Sequence, residues 1–254
     1  MPLVEIIRGQ ATSDDCLARA MDFVKALRKT PIVVNDSRGF YTSRVFSTYV
    51  GEGLTLLAEG VKPALIDNAG RMAGMPVGPL ALADEVSLEL MARIRRQTAV
   101  DLGAAYVRSA IDEVCDRMVD PLGRLGKKAG KGFYDYPQGG TKRLWPGLAE
   151  IWPAAAQQPD VAEVKRRLMF IQSVETVRCI EEGVVTAAID ADVGAILGWG
   201  FPPFLGGPIA QIHSRGIAAF VADCEELARR HGPRFAPPEL LRKMARDNEV
   251  FYPR

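Results

Sequence analysis

The segment RVFSTYVGEGLTLLAEGVKPALID, from Arg44 to Asp67, is echoed by RLMFIQSVETVRCIEEGVVTAAID, from Arg167 to Asp190, each position recurring 123 residues later. A repeat of this length means two copies of one supersecondary unit, which restricts the fold more than any single motif does. The first copy carries Val45, Tyr49, Leu56 and Leu57 at helical spacing and ends at Gly60, a left-handed helix cap with Pro63 beyond it. The echo continues through the turns, where GMPVGPLAL is answered by GFPPFLGGPIAQ after small insertions. In the first of these turns Gly74, Pro76, Gly78 and Pro79 cap one helix, force a turn and start the next. The shared E-G-V cap, I-D pair and G-x-P turn each require particular residues, so chance similarity of two amphipathic helices is the weaker explanation.

The first 36 residues have a different character. MPLVEIIRG is a short apolar run with one carboxylate, Glu5, in its middle, and TPIVVND is a β-branched run bounded by turn formers. Between them TSDDCLARAMDFVKALRK places Leu17, Ala20, Met21, Val24 and Leu27 on one helical face, with Thr12 or Ser13 as N-cap and Asp14 and Asp15 in the first turn. Strand, helix and strand of this kind belong in a parallel sheet covered by helices, and two strands do not complete such a sheet.

Beyond Gly39 the pattern is helical: ALIDNAGRMAG, PLALADEVSLELMARIRRQ and VDLGAAYVRSAIDEVCDRMV read as three successive helices before the basic, glycine-rich GRLGKKAGKGFYDYP, whose FYDY reads as a strand or extended tail. The stretch from Pro137 to Asp160, rich in Gly, Pro and Gln, suits a linker that also packs Trp145 and Trp152 against a neighbour. The expected fold is mainly α: residues 1–36 a β-α-β remnant, 37–136 and 161–254 two tandem helical-bundle domains, and 137–160 the linker.

Thirty-two basic and thirty-one acidic residues leave a net charge of +1 over 254 residues, so no overall field draws the chain to nucleic acid or an anionic membrane. Val193 to Ile212 is uncharged, but its glycines and prolines make it a helix, a broken turn and another helix start, not a membrane span. No signal pattern opens the chain, and a cytoplasmic protein is expected. Cys16, Cys115, Cys179 and Cys224 lie far apart and are expected to be buried, reduced thiols. Together with only His213 and His231 they form no metal-ligand spacing, so no metal is expected. Phe40, Tyr41, Phe46 and Tyr49 read as core aromatics.

MPLVEIIRG, KTPIVVNDSRGFYTSRVF, GMPVGPLALAD and GKKAGKGFYDY together resemble the C-terminal region of 3-hydroxyacyl-CoA dehydrogenase, and the doubled arrangement resembles the multifunctional fatty acid β-oxidation proteins. The resemblance covers almost the whole chain and is weakest from Pro137 to Asp160. It implies NAD-dependent oxidation of an L-3-hydroxyacyl-CoA to the 3-ketoacyl-CoA, with a Rossmann-type domain, and in some members a hydratase domain, in the parent protein. It further implies that Glu5 matches the family's glutamate, which orients a catalytic histidine and stabilises its imidazolium, whereas the residues alone favour a strand-end acid pointing to solvent. The family's histidine stands at a spacing that falls before residue 1. His213, which answers Asp84 in the second repeat, and His231 read as surface or packing residues.

Two further site residues follow from the resemblance. Lys128, in GKKAGKG, matches a lysine that approaches the cofactor from the helical side; the reading from the residues alone, a solvated basic turn, stands equally open. The family's V-N-R motif is T-S-R here, so Ser43 replaces an asparagine near the substrate carbonyl and offers one hydroxyl donor with shorter reach. No G-x-G-x-x-G joins a strand to a helix, so a pyrophosphate site is not expected in this chain. The alternative to an enzyme part is a non-catalytic interaction module, its two copies pairing as an internal pseudo-dimer or the chain forming a homodimer.

Overall fold

The computed structural model describes residues 2–252. In chain order the elements are β1 (Leu3–Arg8), α1 (Asp14–Ala26), β2 (Thr30–Asn35), α2 (Thr42–Ala58), α3 (Pro63–Met72), α4 (Pro79–Val86), α5 (Leu88–Leu102), α6 (Ala110–Val119), β3 (Tyr134–Asp135), β4 (Arg143–Leu144), α7 (Leu148–Ile151), α8 (Val161–Glu181), α9 (Ala188–Trp199), α10 (Pro208–Arg215), α11 (Ile217–His231) and α12 (Glu239–Asp247). The fold is mainly helical, and no described helix is long and apolar enough to cross a membrane. Two compact units result, Met1–Thr48 with Met169–Arg254, and Tyr49–Leu168, the division running through α2 and α8.

In the first unit β1 and β2 pair in parallel with Glu5 opposite Ile32. Alternate residues Ile32 and Val34 of β2 are buried, and α9 comes so close that a Cβ on Gly194 would meet Ile32 Cδ1 at 2.8 Å and Tyr41 at 3.1 Å. Helix α1 is capped by Ser13, whose hydroxyl accepts from the Cys16 amide. Its apolar face is only partly used: Val24 is buried, but Leu27 is 50% and Phe23 64% exposed. Cys16 is exposed too, against the expectation of four buried thiols, because it sits in the solvated first turn of α1; Cys115, Cys179 and Cys224 are buried.

In the second unit the long helical pattern from Pro79 onward is broken. Ser87 adopts φ 89°, ends α4 and caps α5 by accepting from the Leu90 amide. Helix α5 then runs on through Val100 to Leu102, and α6 starts afresh behind a capping box of Ser109 and Asp112. The Pro137–Asp160 stretch is tied down in this unit: the Ala155 amide donates to Gly60 O at 2.9 Å, and Gln158 Oε1 accepts from the Lys62 amide. Trp145 and Trp152 are covered by Arg124 and Arg117, at 4.1 and 5.9 Å from the ring centroids.

The repeat has a reciprocal electrostatic signature. Arg167 is buried and donates from Nε to Glu52 at 2.7 Å and from Nη1 and Nη2 to Glu59 at 2.7 and 3.0 Å. Its counterpart Arg44 donates from Nε to Glu175 at 2.5 Å and from Nη1 and Nη2 to Glu182 at 2.5 and 2.9 Å. Glu175 and Glu182 are the repeat mates of Glu52 and Glu59, so each copy's arginine is bound by the other copy's two glutamates.

A second shared device corrects the register of the repeat. Asp67 accepts from the Leu80 and Ala81 amides at the start of α4 and from the Tyr134 hydroxyl. Asp192 accepts from the Ile209 and Ala210 amides at the start of α10 and from the Tyr252 hydroxyl. The partner of Asp67 is therefore Asp192, not Asp190, because α9 starts two residues later than the 123-residue offset requires. In both copies a glycine makes room for the carboxylate: a Cβ on Gly78 or Gly207 would stand 2.4 Å from the Cγ of Asp67 or Asp192. At Gly78 φ is an ordinary −67°, so Gly78→Ala tests the clash alone and is expected to cost on the order of 1–3 kcal/mol in urea denaturation.

Candidate active site

Glu5 lies in the middle of β1, partly buried, and its carboxylate is engaged by the start of α2. Oε1 accepts from the Tyr41 and Thr42 amides at 2.9 and 3.0 Å, and Oε2 accepts from the Thr42 hydroxyl at 2.7 Å. The approach depends on the turn before the helix, where Gly39 and Phe40 both take positive φ, 77° and 49°. Phe40 holds a left-handed conformation that non-glycine residues seldom adopt, and it is 37% exposed rather than in the core. Orphan helix amides and the positive end of the helix dipole suit a carboxylate here, so Glu5 serves α2 as a cap supplied from a strand.

Behind this contact the ring of Tyr41 is fully buried. Its hydroxyl donates to Ala191 O at 2.8 Å, and its ring meets Trp199 edge-on with centroids 5.5 Å apart. Burial pushes the Tyr41 phenol well above its ordinary range, so it stays a neutral donor. The end of β2 is fixed as well, the Asn35 side chain donating to Gly183 O at 2.7 Å. The β2–α2 connection that presents the Tyr41 and Thr42 amides is thus held at both ends, by the Asn35 hydrogen bond and by the burial of Tyr41.

Ser43 follows Thr42 in the first turn of α2 and is exposed; its carbonyl accepts from Ser47. The structure brings Glu5 and Thr42 together, with Ser43 the next residue along α2 and not among the partners of Glu5. Thr42 was missed by sequence reasoning, although its signal was present: threonine stands where the V-N-R motif has valine. Lys128 lies in the other unit, exposed in a tight turn over Lys127–Ala129, where Lys127 pairs with Glu85 at 3.2 Å. His213 is exposed and faces Tyr252 edge-on, and His231 packs against Phe235.

The β1–α1 turn of this chain is not shaped as a pyrophosphate loop. The β1–α1 connection folds on itself, the Thr12 amide donating to Gly9 O and the Gly9 amide to Thr12 Oγ1. The Cys16 amide of α1 meets its own Ser13 cap, and Asp14 and Asp15 stand in the first turn, where a pyrophosphate would bring like charge. Isothermal calorimetry on the purified chain is expected to show no stoichiometric NADH uptake, with any affinity weaker than about 1 mM. No cluster of metal-binding side chains occurs among the described residues.

Solved structures share this architecture. The 3-hydroxybutyryl-CoA dehydrogenase of Escherichia coli superposes with a TM-score of 0.75 over 96% of this chain and 67% of its own, at 24% identity. The dehydrogenase part of multifunctional enzyme 1 from C. elegans does so with 0.70 over 96% and 56%, at 23% identity. At these identities the likeness establishes the fold alone.

Sequence profiles go further: the 3-hydroxyacyl-CoA dehydrogenase NAD binding domain matches residues 1–37 and the C-terminal domain matches residues 39–136. The chain belongs to the 3-hydroxyacyl-CoA dehydrogenase family. The fatty acid oxidation complex subunits alpha of Shewanella amazonensis and Shewanella halifaxensis are each 38% identical to it, over 258 and 257 residues. Those alignments take in 99% of this chain and 36% and 35% of the relatives, so the chain spans about a third of the curated relatives it matches.

Proposed function

We propose that this chain is the helical part of an NAD-dependent 3-hydroxyacyl-CoA dehydrogenase of fatty acid β-oxidation and works in the cytoplasm together with the family's nucleotide-binding domain. In this reading residues 1–36 are the trailing edge of that domain, 37–136 and 161–254 are the two helical copies, and 137–160 joins them. The observation that carries the proposal is the Glu5 carboxylate, held by the α2 amides and Thr42 beside the β2–α2 turn. A carboxylate fixed in this way keeps a histidine in one tautomer and stabilises its imidazolium without taking up the proton. Ser43 lies one residue further along α2, toward the substrate carbonyl, and Lys128 contributes a cationic contact to the nucleotide from the helical side.

The exposed Phe23 and Leu27 support the same reading, since an α1 face left half open suits a sheet with more strands and helices than these. The experiment is complementation: mixing the chain with a family nucleotide-binding domain that carries the histidine restores NADH-dependent reduction of a 3-ketoacyl-CoA, and the chain alone is inactive. A second reading, a helical pairing module without catalysis, is favoured by the reciprocal bonding of Arg44 and Arg167, the pattern of an isologous interface. A monomer in size-exclusion chromatography fits internal pairing of the two copies, and a dimer fits pairing between chains.

A further inference from the structure

Two acidic residues of the second unit, Asp67 and Asp84, grip one segment. Asp84, 1% exposed, accepts from the Phe133 amide at 2.7 Å, the Tyr134 amide at 2.9 Å and the Tyr136 hydroxyl at 3.0 Å. Gly132 is shaped to this grip: a Cβ there would run into Asp84 Oδ1 at 1.9 Å. The gripped residues close the Gly126–Gly132 turn that carries Lys127 and Lys128, whose other anchors are Arg124 Nε donating to Gly132 O and the Leu88 amide donating to Leu125 O.

The second copy supplies the comparison. It keeps the buried carboxylate and its tyrosine, Asp192 and Tyr252, but puts His213 where the first copy has Asp84. There the chain passes from α12 to Phe251 through Asn248, Glu249 and Val250 alone, whereas the first copy needs Asp120 to Gly132 between α6 and Phe133. A cavity of about 400 Å³ lined by His213, the start of α11 and Asn248 lies in this copy. The copy without the aspartate is the copy without the lysine turn.

We infer that Asp84 is a positioning residue whose carboxylate clamps the lysine turn and so fixes where Lys128 is presented. This rests on the reading of Lys128 as a nucleotide contact, but the clamp is testable by itself. The clamp is linked to protons. Burial is the main cause that raises the Asp84 carboxyl to about 6, against the lowering by its three donors, and the nearby Asp67 of α3 adds to the rise. Around the pair stand Glu85 of α4 bound by Lys127, Tyr134 and Tyr136, Asp135 bound by Arg124, and Lys142 over the Tyr134 ring at 5.0 Å. A closed state with the higher pKa binds the proton more tightly than an open one, so ionisation of Asp84, complete above about pH 6, costs the closed state part of its margin through desolvation even as the three donors hold the carboxylate.

Hydrogen exchange on the 254-residue chain tests this. In the wild type, protection of the Phe133 and Tyr134 amides, corrected for intrinsic rates, is expected to fall about 10-fold from pH 5 to pH 8. Asp84→Asn, which offers one acceptor and turns an amide toward the other backbone N–H, is expected to lose on the order of 10-fold protection there at pH 7 and to flatten the pH response. Tyr136→Phe, a milder change, is expected to show a smaller loss confined to the same amides. Unchanged protection in both variants overturns the clamp, and a wild-type profile flat in pH overturns its proton linkage. With the reconstituted reaction, Lys128→Gln is expected to raise KM for NADH; an unchanged KM overturns the nucleotide reading and is a separate failure from that of the clamp.

Discussion

Replacing Arg167 by alanine is expected to destabilise the protein by about 3–5 kcal/mol, since it strips the guanidinium from a fully buried Glu52 carboxylate. Arg167 and Glu52 have side chains only 2% and 0% exposed, so water does not replace the lost partner, and the three carboxylate oxygens that the arginine serves lose its donors together. The expected fall in Tm is on the order of 10 °C. Arg44→Ala removes the symmetry mate, but of its two partners Glu182 is 51% exposed and regains water and Glu175 keeps Arg178, so about 1 kcal/mol is expected there. The double substitution Arg167→Met with Glu52→Met is expected to recover most of the loss, because a buried pair replaced by packed apolar groups carries no stranded charge. Chemical denaturation of the three variants checks the order.

The second large effect concerns Glu5. Glu5→Ala removes the acceptor for two α2 amides and the Thr42 hydroxyl and is expected to cost on the order of 2 kcal/mol, as a lost helix cap does. Glu5→Gln keeps one carbonyl oxygen for the amides and an amide group for Thr42 Oγ1, so its stability cost is expected to stay near 1 kcal/mol or below. Its activity is another matter. An uncharged side chain does not stabilise an imidazolium and can favour the wrong tautomer, and in a reconstituted enzyme a fall in kcat on the order of 100-fold or more is expected. A small effect on unfolding beside a large effect on kcat separates a histidine-orienting carboxylate from a cap.

Much of this molecule is legible in its sequence because its constraints are local. Gly60 and Gly183, at φ 81° and 71°, both make the left-handed step that the E-G-V signature requires. The β-α-β start, the broken Val193–Ile212 stretch and the G-x-P turns are likewise set by residues close together in the chain. The break at Ser87 was hidden, because LADEVSLELMAR keeps a helical pattern across it and the cause, a positive φ, leaves no mark in hydrophobic periodicity. The repeat register is ambiguous at Asp190 because IDAD offers two carboxylates, and only the amides of Ile209 and Ala210 choose Asp192.

The site was legible by a different route. Glu5 stands out as an acid inside an apolar strand, but its partners at Tyr41 and Thr42 are set by tertiary contact across the β2–α2 turn. The cross-bonding of Arg44 and Arg167 is equally invisible in one dimension: each arginine shares its own copy with glutamates that it does not bind. The echo of Phe133-Tyr134 by Phe251-Tyr252 was missed because the lysine turn is present in one copy and not in the other, which displaces the second pair from any constant offset.

The most direct measurement of the central claim is the rate of NADH oxidation by a 3-ketoacyl-CoA when the purified chain is titrated into a nucleotide-binding domain of the family. The rate is predicted to rise to saturation with the wild-type chain and to stay near background with Glu5→Gln. A rate that never rises, or one that rises equally with Glu5→Gln, would contradict it.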